Sequence, residues 1–114
     1  MLFIWYPKCS TCVNAKKILD DKNFQYIVRD INIETPSYEE LKEYYDKSKL
    51  NLKKFFNTSG LVYKNLNLKE KIDSLTDEEK LKLLASNGML IKRPLLITDD
   101  SVIIGFKKDI YDNL

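Results

Sequence analysis

Tyr6-Pro7-Lys8-Cys9-Ser10-Thr11-Cys12 joins an apolar run, Leu2-Phe3-Ile4-Trp5, to a helix-forming run at residues 15–19. This order predicts a strand, a tight loop and a Cys-x-x-Cys pair at the start of a helix, which is typical of a redox dithiol. The free N–H groups and the positive end of the helix dipole favour a thiolate there. Because the thiolate is the reactive species in disulfide exchange, we predict Cys9 as nucleophile and Cys12 as its resolving partner.

The composition predicts one globular domain spanning residues 1–114. Hydrophobic residues make up 44% of the chain and charged residues 32%, as in soluble proteins. A net charge of +2 is too small to indicate direct nucleic-acid binding or a membrane partner. No apolar run approaches the roughly 18 residues of a membrane span. The first apolar run lacks a charged leader, so we expect a cytoplasmic protein.

The absence of histidine removes several kinds of site. Cys–His dyads, Ser–His–Asp triads and histidine metal ligands are all excluded. With only two cysteines, a four-thiolate metal site would need two chains, and we expect no bound metal or cofactor. The two thiols are therefore either a redox pair, which we favour, or inert buried side chains.

The first half of the chain predicts a strand–helix–strand unit. The strand at residues 2–5 is followed by a helix over residues 10–22 and a β-branched and aromatic strand at residues 24–28. The length of this connection makes the two strands parallel. We expect Ile31 and Ile33 to anchor the polar segment that follows.

Two later helices carry start signals. Ser37 with Glu40, and Thr76 with Glu79, each have the spacing of a capping box. Gly88 is expected to end the second of these helices in the left-handed conformation that glycine tolerates.

The remaining elements complete the fold. Residues 50–75 predict short helices interrupted at residues 57–60, and residues 95–98 and 102–104 predict an antiparallel hairpin before a final helix at residues 106–114. The order is β-α-β, a helical insertion at about residues 36–88, then β-β-α. This is an α/β, thioredoxin-like arrangement with a mixed four-stranded sheet.

In such a fold, the start of the first helix lies near the loop before the third strand. Arg93 occupies this loop, and Pro94 fixes its backbone, so the guanidinium would stabilise a thiolate or bind an oxyanion. The alternative is an ordinary surface arginine. Lys8 either lowers the pKa of Cys9 or is a solvated loop residue. Ser10 and Thr11 either donate hydrogen bonds to the thiolate or cap the helix.

Other basic and aromatic residues have simpler interpretations. A basic rim formed by lysines is one interpretation, and surface residues that aid solubility are the commoner one. The aromatic residues are expected in the core. These lysines are Lys53, Lys54, Lys92, Lys107 and Lys108, and these aromatic residues are Trp5, Tyr6, Phe55, Phe56 and Tyr63.

Several motifs together resemble the ArsC/Spx family over essentially the whole chain, closest to its short Cys-x-x-Cys branch. They are Tyr-Pro-Lys-Cys-Ser-Thr-Cys at residues 6–12, Lys-Lys-Phe-Phe-Asn-Thr-Ser-Gly at residues 53–60, Leu-Leu-Ala-Ser-Asn-Gly-Met-Leu-Ile-Lys-Arg-Pro at residues 83–94, Leu95-Leu96, and Gly105-Phe106-Lys107. The resemblance implies a thioredoxin-like sheet with an all-helical insertion and often a cis proline at Pro94.

The resemblance also implies that Cys9 matches the catalytic cysteine of arsenate reductases that use glutathione and glutaredoxin. Three arginines bind the oxyanion in those enzymes, and Arg93 matches one. Asn57 stands at the expected place of another, and Phe106-Lys107 near the third. Those reductases also lack a second cysteine at the position of Cys12.

Spx-type transcription regulators share the Cys-x-x-Cys disulfide switch and an arginine matching Arg93. They bind the C-terminal domain of the RNA polymerase α subunit, and a glycine important for that contact falls at Asn51 here. We therefore rank a thiol–disulfide oxidoreductase first, a redox-switched regulator second and an arsenate reductase third. A thiol or disulfide, including one on a protein, is the expected substrate. Glutathione with glutaredoxin, or thioredoxin, is the expected electron donor.

Overall fold

Alternating short apolar strands and amphipathic helices fold into one mixed sheet with helices on both faces. The computed structural model describes residues 1–114. None of its helices is long and apolar enough to cross a membrane. Its elements are β1 Leu2–Trp5, α1 Ser10–Asp21, β2 Ile27–Asp30, α2 Tyr38–Ser48, α3 Leu61–Asn65, α4 Leu68–Lys71, α5 Asp77–Ser86, β3 Leu95–Ile97, β4 Val102–Ile104 and α6 Lys108–Asp112, with 3₁₀ turns at Leu52–Phe55, Ile72–Ser74 and Gly88–Leu90.

The four strands lie in the order β2-β1-β3-β4. β1 pairs with β2 in parallel and with β3 in antiparallel, and β3 pairs with β4 in antiparallel. Helix α1 connects β1 to the parallel strand β2, as a crossover connection requires. The predicted thioredoxin-like mixed sheet is confirmed.

Alternation along the strands separates two hydrophobic cores. Phe3 and its partner Leu96 point to one face, where α1 and α6 cover them. Ile4 and its partner Leu95 point to the other face and join a cluster of 17 buried residues, most of which come from the helices and turns between α2 and Ile91. Side chains alternate across a strand, so this pattern follows from the pleat. Between β2 and β3 the chain forms helices and turns and no strand of the sheet.

Both predicted capping boxes are confirmed. The backbone N–H of Glu40 donates to Ser37 Oγ and that of Glu79 donates to Thr76 Oγ1, each at 3.1 Å, with the reciprocal bonds also present. The helix α5 ends before Asn87 and Gly88, as predicted, but the left-handed conformation expected for Gly88 is wrong. Gly88 lies in a 3₁₀ turn where a Cβ atom would come 2.1 Å from the carbonyl oxygen of Ile31, so glycine is needed for close packing.

The predicted second strand is shifted toward the C-terminus. It begins at Ile27 instead of Phe24, because the parallel register places Ile27 opposite Leu2. The preceding Tyr26 packs edge-on against Phe3, with ring centroids 5.8 Å apart. The aromatic pattern that suggested a strand therefore reflects burial in the smaller core.

The two isoleucines after β2 behave differently. Ile31 is fully buried, as predicted, but the expectation for Ile33 is wrong because 79% of its surface is exposed. The carboxylate of Asp30 accepts hydrogen bonds from the backbone N–H groups of Asn32 and Ile33, so a turn carries Ile33 away from the core. The final helix is also shorter than predicted, and covers only Lys108–Asp112.

One pairing outside the sheet positions the site. Phe56 forms an isolated antiparallel bridge with Ile91. The Lys92 N–H donates to the carbonyl of Phe55, and the Asn57 N–H donates to that of Leu90, both at 2.7 Å. This pairing holds the turn after Phe56 beside the loop that precedes β3.

Candidate thiol active site

The two cysteines occupy contrasting positions at the start of α1. Cys9 is the N-cap residue and is half-buried, with extended backbone angles. Cys12 is fully buried on the inner face of the helix, together with Ala15 and Leu19. Both are free thiols. One sulfur is thus open to a partner molecule, and the other lies behind it.

The surroundings of Cys9 favour its thiolate. Burial acts to raise the pKa of this thiol, but the backbone N–H and thiol of Cys12 and the guanidinium of Arg93 outweigh it, so the pKa is lowered. The Cys9 side chain forms no capping hydrogen bond with the backbone of α1. Cys12 and Arg93 therefore act mainly on the charged form of the Cys9 sulfur. Lys8 is exposed and is not among the groups that lower this pKa.

Cys12 is shifted in the opposite direction. Burial, together with the neighbouring Cys9, raises its pKa to about 12 against the opposing effects of the Tyr6 backbone and Arg93. Of the two thiols, Cys9 therefore ionises more readily and Cys12 less readily than a free cysteine. Burial raises the pKa of Tyr111, and the nearby Cys12 raises it further.

Arg93 directs its guanidinium toward the dithiol from the loop before β3. The Arg93–Pro94 peptide bond is cis, as the resemblance implies. The guanidinium carbon lies 5.2 Å from the centre of the Tyr6 ring, a cation–π contact that supports the side chain. The Nε and Nη1 atoms of Arg93 are buried without a hydrogen-bond partner. These donors remain free for a thiolate or another anion.

A cleft of about 280 Å³ opens in front of Cys9, and we call it the Cys9 cleft. Thr11 lines this cleft with Cys9 and Arg93, whereas Lys8 and Ser10 are exposed outside its lining. Pro94 is buried behind it and orients the chain. The residues lining the cleft are Cys9, Thr11, Phe56, Asn57, Thr58, Ser59, Lys92, Arg93, Gly105 and Phe106.

Sequence reasoning missed part of this lining. Thr58, Ser59 and Gly105 lie in motifs that carry the family resemblance, but none of them is predicted as a site residue. Gly105 has a φ of +74°, and a Cβ atom there would lie 2.9 Å from Cε of Lys92. The run of turn-forming residues at 57–60 was the available signal. Its proximity to Cys9 depends on the bridge between Phe56 and Ile91, which no local pattern shows.

The aromatic residues lie as predicted in part. Phe55, Phe56 and Tyr63 are buried, whereas Trp5 and Tyr6 are half-buried. Tyr6 supports Arg93, a contact that the sequence did not indicate.

The fold and the site define a thioredoxin-like protein with a helical insertion and a Cys-x-x-Cys pair at the first helix. The ArsC family model matches residues 4–114. The chain is 52% identical to the Bacillus subtilis protein YusI over 112 residues, covering 98% of this chain and 95% of YusI. The chain therefore belongs to the ArsC family, and the resemblance is confirmed.

Two further comparisons show the breadth of this family. The regulatory protein MgsR of Bacillus subtilis is 31% identical over 106 residues, covering 93% of this chain and 82% of MgsR. The crystal structure of an ArsC family related protein from Bacteroides fragilis superposes with a TM-score of 0.94 at 49% identity, covering 98% and 94% of the two chains. Membership of this family supports a thiol-redox role.

Proposed function

We propose that the protein is a cytoplasmic thiol–disulfide oxidoreductase with a glutaredoxin-like mechanism, in which Cys9 is the nucleophile and Cys12 the resolving thiol. The observation that carries this proposal is the opposite shift of the two thiols: an accessible Cys9 with a lowered pKa stands before a buried Cys12 with a raised one. Such a pair suits two-step exchange, because the first attack can come from only one sulfur.

In the first step, the Cys9 thiolate attacks one sulfur of a substrate disulfide. A bond forms between Cys9 Sγ and that sulfur, the substrate S–S bond breaks, and the second substrate sulfur leaves as a thiolate that takes a proton from water. Arg93 and the start of α1 hold Cys9 in its charged form before attack.

In the second step, Cys12 loses its proton and attacks Cys9 Sγ. The mixed disulfide breaks, the remaining substrate sulfur leaves as a thiol, and the protein retains a Cys9–Cys12 disulfide. The substrate thus gains two electrons from the dithiol and two protons, one from water in the first step and one from Cys12 in the second. Mixed-disulfide formation removes the Cys9 charge and thiol, two of the causes that raise the pKa of Cys12, so the first step prepares the second.

The disulfide must then be reduced by an external dithiol or by two thiols. We propose glutathione with glutaredoxin, or thioredoxin, for this role. The half-exposed Cys9 is the sulfur that such a donor would attack.

The test is trapping with the variant Cys12→Ser. Without the resolving thiol, mixed disulfides should accumulate on Cys9 and be identified by mass spectrometry after non-reducing separation. The double variant with Cys9→Ser is the control and should trap none. Equal trapping by both, or none by Cys12→Ser during turnover of a model disulfide, would contradict the mechanism.

A second function is a redox-switched regulator, favoured by the similarity to MgsR. In this case the Cys9–Cys12 disulfide would change the affinity for the C-terminal domain of the RNA polymerase α subunit, the partner that the resemblance implies. A pull-down with that domain under oxidising and reducing conditions tests it. Absence of binding in both states removes this function.

Arsenate reduction is the third candidate. The free Nε and Nη1 atoms of Arg93 beside Cys9 offer one oxyanion contact, while Asn57 and Phe106 line the rest of the cleft with no guanidinium. An assay with arsenate, glutathione and glutaredoxin measures this activity directly. We expect turnover well below that with a model disulfide.

A further inference from the structure

Three adjoining hollows form one continuous groove that begins at Cys9. The Cys9 cleft shares Phe56, Thr58 and Lys92 with a second hollow of about 420 Å³, and that hollow shares Thr58 and Tyr63 with a third of about 340 Å³. We call the whole depression the lysine groove. It extends from the reactive sulfur over the surface of the helical insertion.

The charged residues that line the lysine groove are all cations. Its lining contains six cations and no carboxylate: Lys53, Lys54, Lys64, Lys69, Lys92 and Arg93. The chain as a whole has 19 Lys and Arg against 17 Asp and Glu, so this separation is local and does not follow from composition. Like charges placed together attract a partner of opposite charge and speed its association.

Most of these cations are free. Lys53 is paired with Asp73 at 2.7 Å, but the other lysines of the groove form no ion pair. The Nε and Nη1 atoms of Arg93 are buried and unpartnered at the Cys9 end. By contrast, Lys16, Lys82 and Lys108, which lie outside the groove, each pair with a carboxylate one helical turn away, although other lysines such as Lys42 are unpaired too. The groove therefore keeps its charge available for a ligand.

We propose that the lysine groove binds an acidic peptide segment next to the half-cystine that Cys9 attacks, so the preferred substrates are disulfides of proteins flanked by Asp and Glu. This proposal rests on the proposed function, because it is the thiol at one end of the groove that identifies the occupant as a disulfide. It assigns the recognition of substrate to the helical insertion and leaves the chemistry to α1.

A peptide fits the groove better than a nucleic acid does. Single-stranded nucleic acids bind through exposed aromatic rings on which bases stack. Of the three aromatic residues of the groove, Phe56 and Tyr63 are only 2% and 7% exposed, and Phe106 is a single half-buried ring at the Cys9 end. They offer no row of exposed rings on which successive bases could stack. Carboxylates on a flexible peptide need only the lysines along the walls.

The experiment compares three synthetic peptides, two of which carry one cysteine in mixed disulfide with glutathione. One has Asp and Glu on both sides of the cysteine, the second has Asn and Gln at the same positions, and the third is the acidic peptide with Ser in place of Cys. We expect kcat/KM to be about tenfold higher for the acidic disulfide than for the neutral one at low salt, with the ratio falling as salt rises.

The test variant combines Lys54→Gln, Lys64→Gln and Lys69→Gln. All three lysines are exposed, unpaired and outside the lining of the Cys9 cleft. The acidic-to-neutral ratio should fall to between about one and three in this variant. The matched control is Lys42→Gln, an exposed lysine of α2 without an ion pair, which should keep the wild-type ratio. Equal rates with both peptides, or a preference that survives the triple substitution, would overturn the proposal.

Direct binding separates this proposal from the proposed function. Fluorescence anisotropy with the labelled serine peptide measures docking without chemistry, and an unlabelled single-stranded oligonucleotide serves as competitor. Lysine-dependent binding of the peptide without turnover of either disulfide would support the groove and remove the oxidoreductase. Turnover without lysine-dependent binding would do the reverse. Tighter lysine-dependent binding of the oligonucleotide would overturn the peptide assignment.

Discussion

Replacing Arg93 with glutamine should raise the pKa of Cys9 by about one unit. A neighbouring charge changes a pKa by about 1 to 3 units. We expect the low end, because Cys9 is open to solvent on one side and the Cys12 N–H and thiol remain in place. At a pH below the pKa of both proteins, a rise of one unit reduces the thiolate fraction of Cys9 to about a tenth. This corresponds to about 1.4 kcal/mol in the free energy of ionisation.

The assay is the pH dependence of iodoacetamide alkylation, followed by mass spectrometry to confirm that Cys9 reacts. Cys12 is fully buried and its pKa is raised, so it should not contribute to the rate. The midpoint of the profile should move upward in Arg93→Gln and return part of the way in Arg93→Lys, which restores the charge without the planar fork.

Lys8→Gln is the matched control. Lys8 is adjacent to Cys9 in sequence but exposed and outside the Cys9 cleft, so its loss should move the midpoint by no more than about 0.3 units. Thermal unfolding must show that each variant folds, because Arg93 also contacts Tyr6. An unchanged midpoint in Arg93→Gln, an equal shift in Lys8→Gln, or a wild-type value near the ordinary ~8.5 of a free thiol, would refute the reasoning.

Three predictions concern stability, and urea unfolding measures each. Gly88→Ala should lower the free energy of unfolding by about 3 kcal/mol, because the added methyl group meets the backbone of Ile31, which cannot rotate away. A loss under about 1 kcal/mol would contradict this. Glu40→Gln should cost about 0.5 kcal/mol at pH 7, a small value because Glu40 is 38% exposed and solvent screens its bond to Arg29. Arg29 lowers the pKa of Glu40 in the folded protein. The stabilisation from this ion pair is therefore present above the unfolded pKa of about 4.3 and is lost as the pH falls through the lower folded pKa. The unfolding free energies of the variant and the wild type should converge in acid. Tyr111→Phe should leave stability unchanged or raise it by up to about 1 kcal/mol, because the buried hydroxyl has no hydrogen-bond partner; a clear loss would show that the hydroxyl is satisfied.

The local sequence determined the elements whose signals lie within a few residues. Both capping boxes, the strand at β1 and the hairpin of β3 and β4 depend on neighbouring side chains and backbone groups, and all were predicted correctly. The burial of Cys12 also follows from local spacing, because Cys12, Ala15 and Leu19 share one face of α1, whereas Cys9 is the N-cap residue before the first turn.

Tertiary pairing decided what local patterns leave open. The register of β2 on β1 places the strand after Phe24 and Tyr26, the aromatic residues that suggested its start. Gly88 follows a helix, where the sequence suggests a cap, but the close approach of Ile31 is what requires glycine there. The composition of the Cys9 cleft was fixed by the bridge between Phe56 and Ile91, residues 35 positions apart. A contact between distant segments depends on how the whole core packs. The Cys-x-x-Cys motif therefore predicted a thiol-redox site, but only the fold showed which residues surround it.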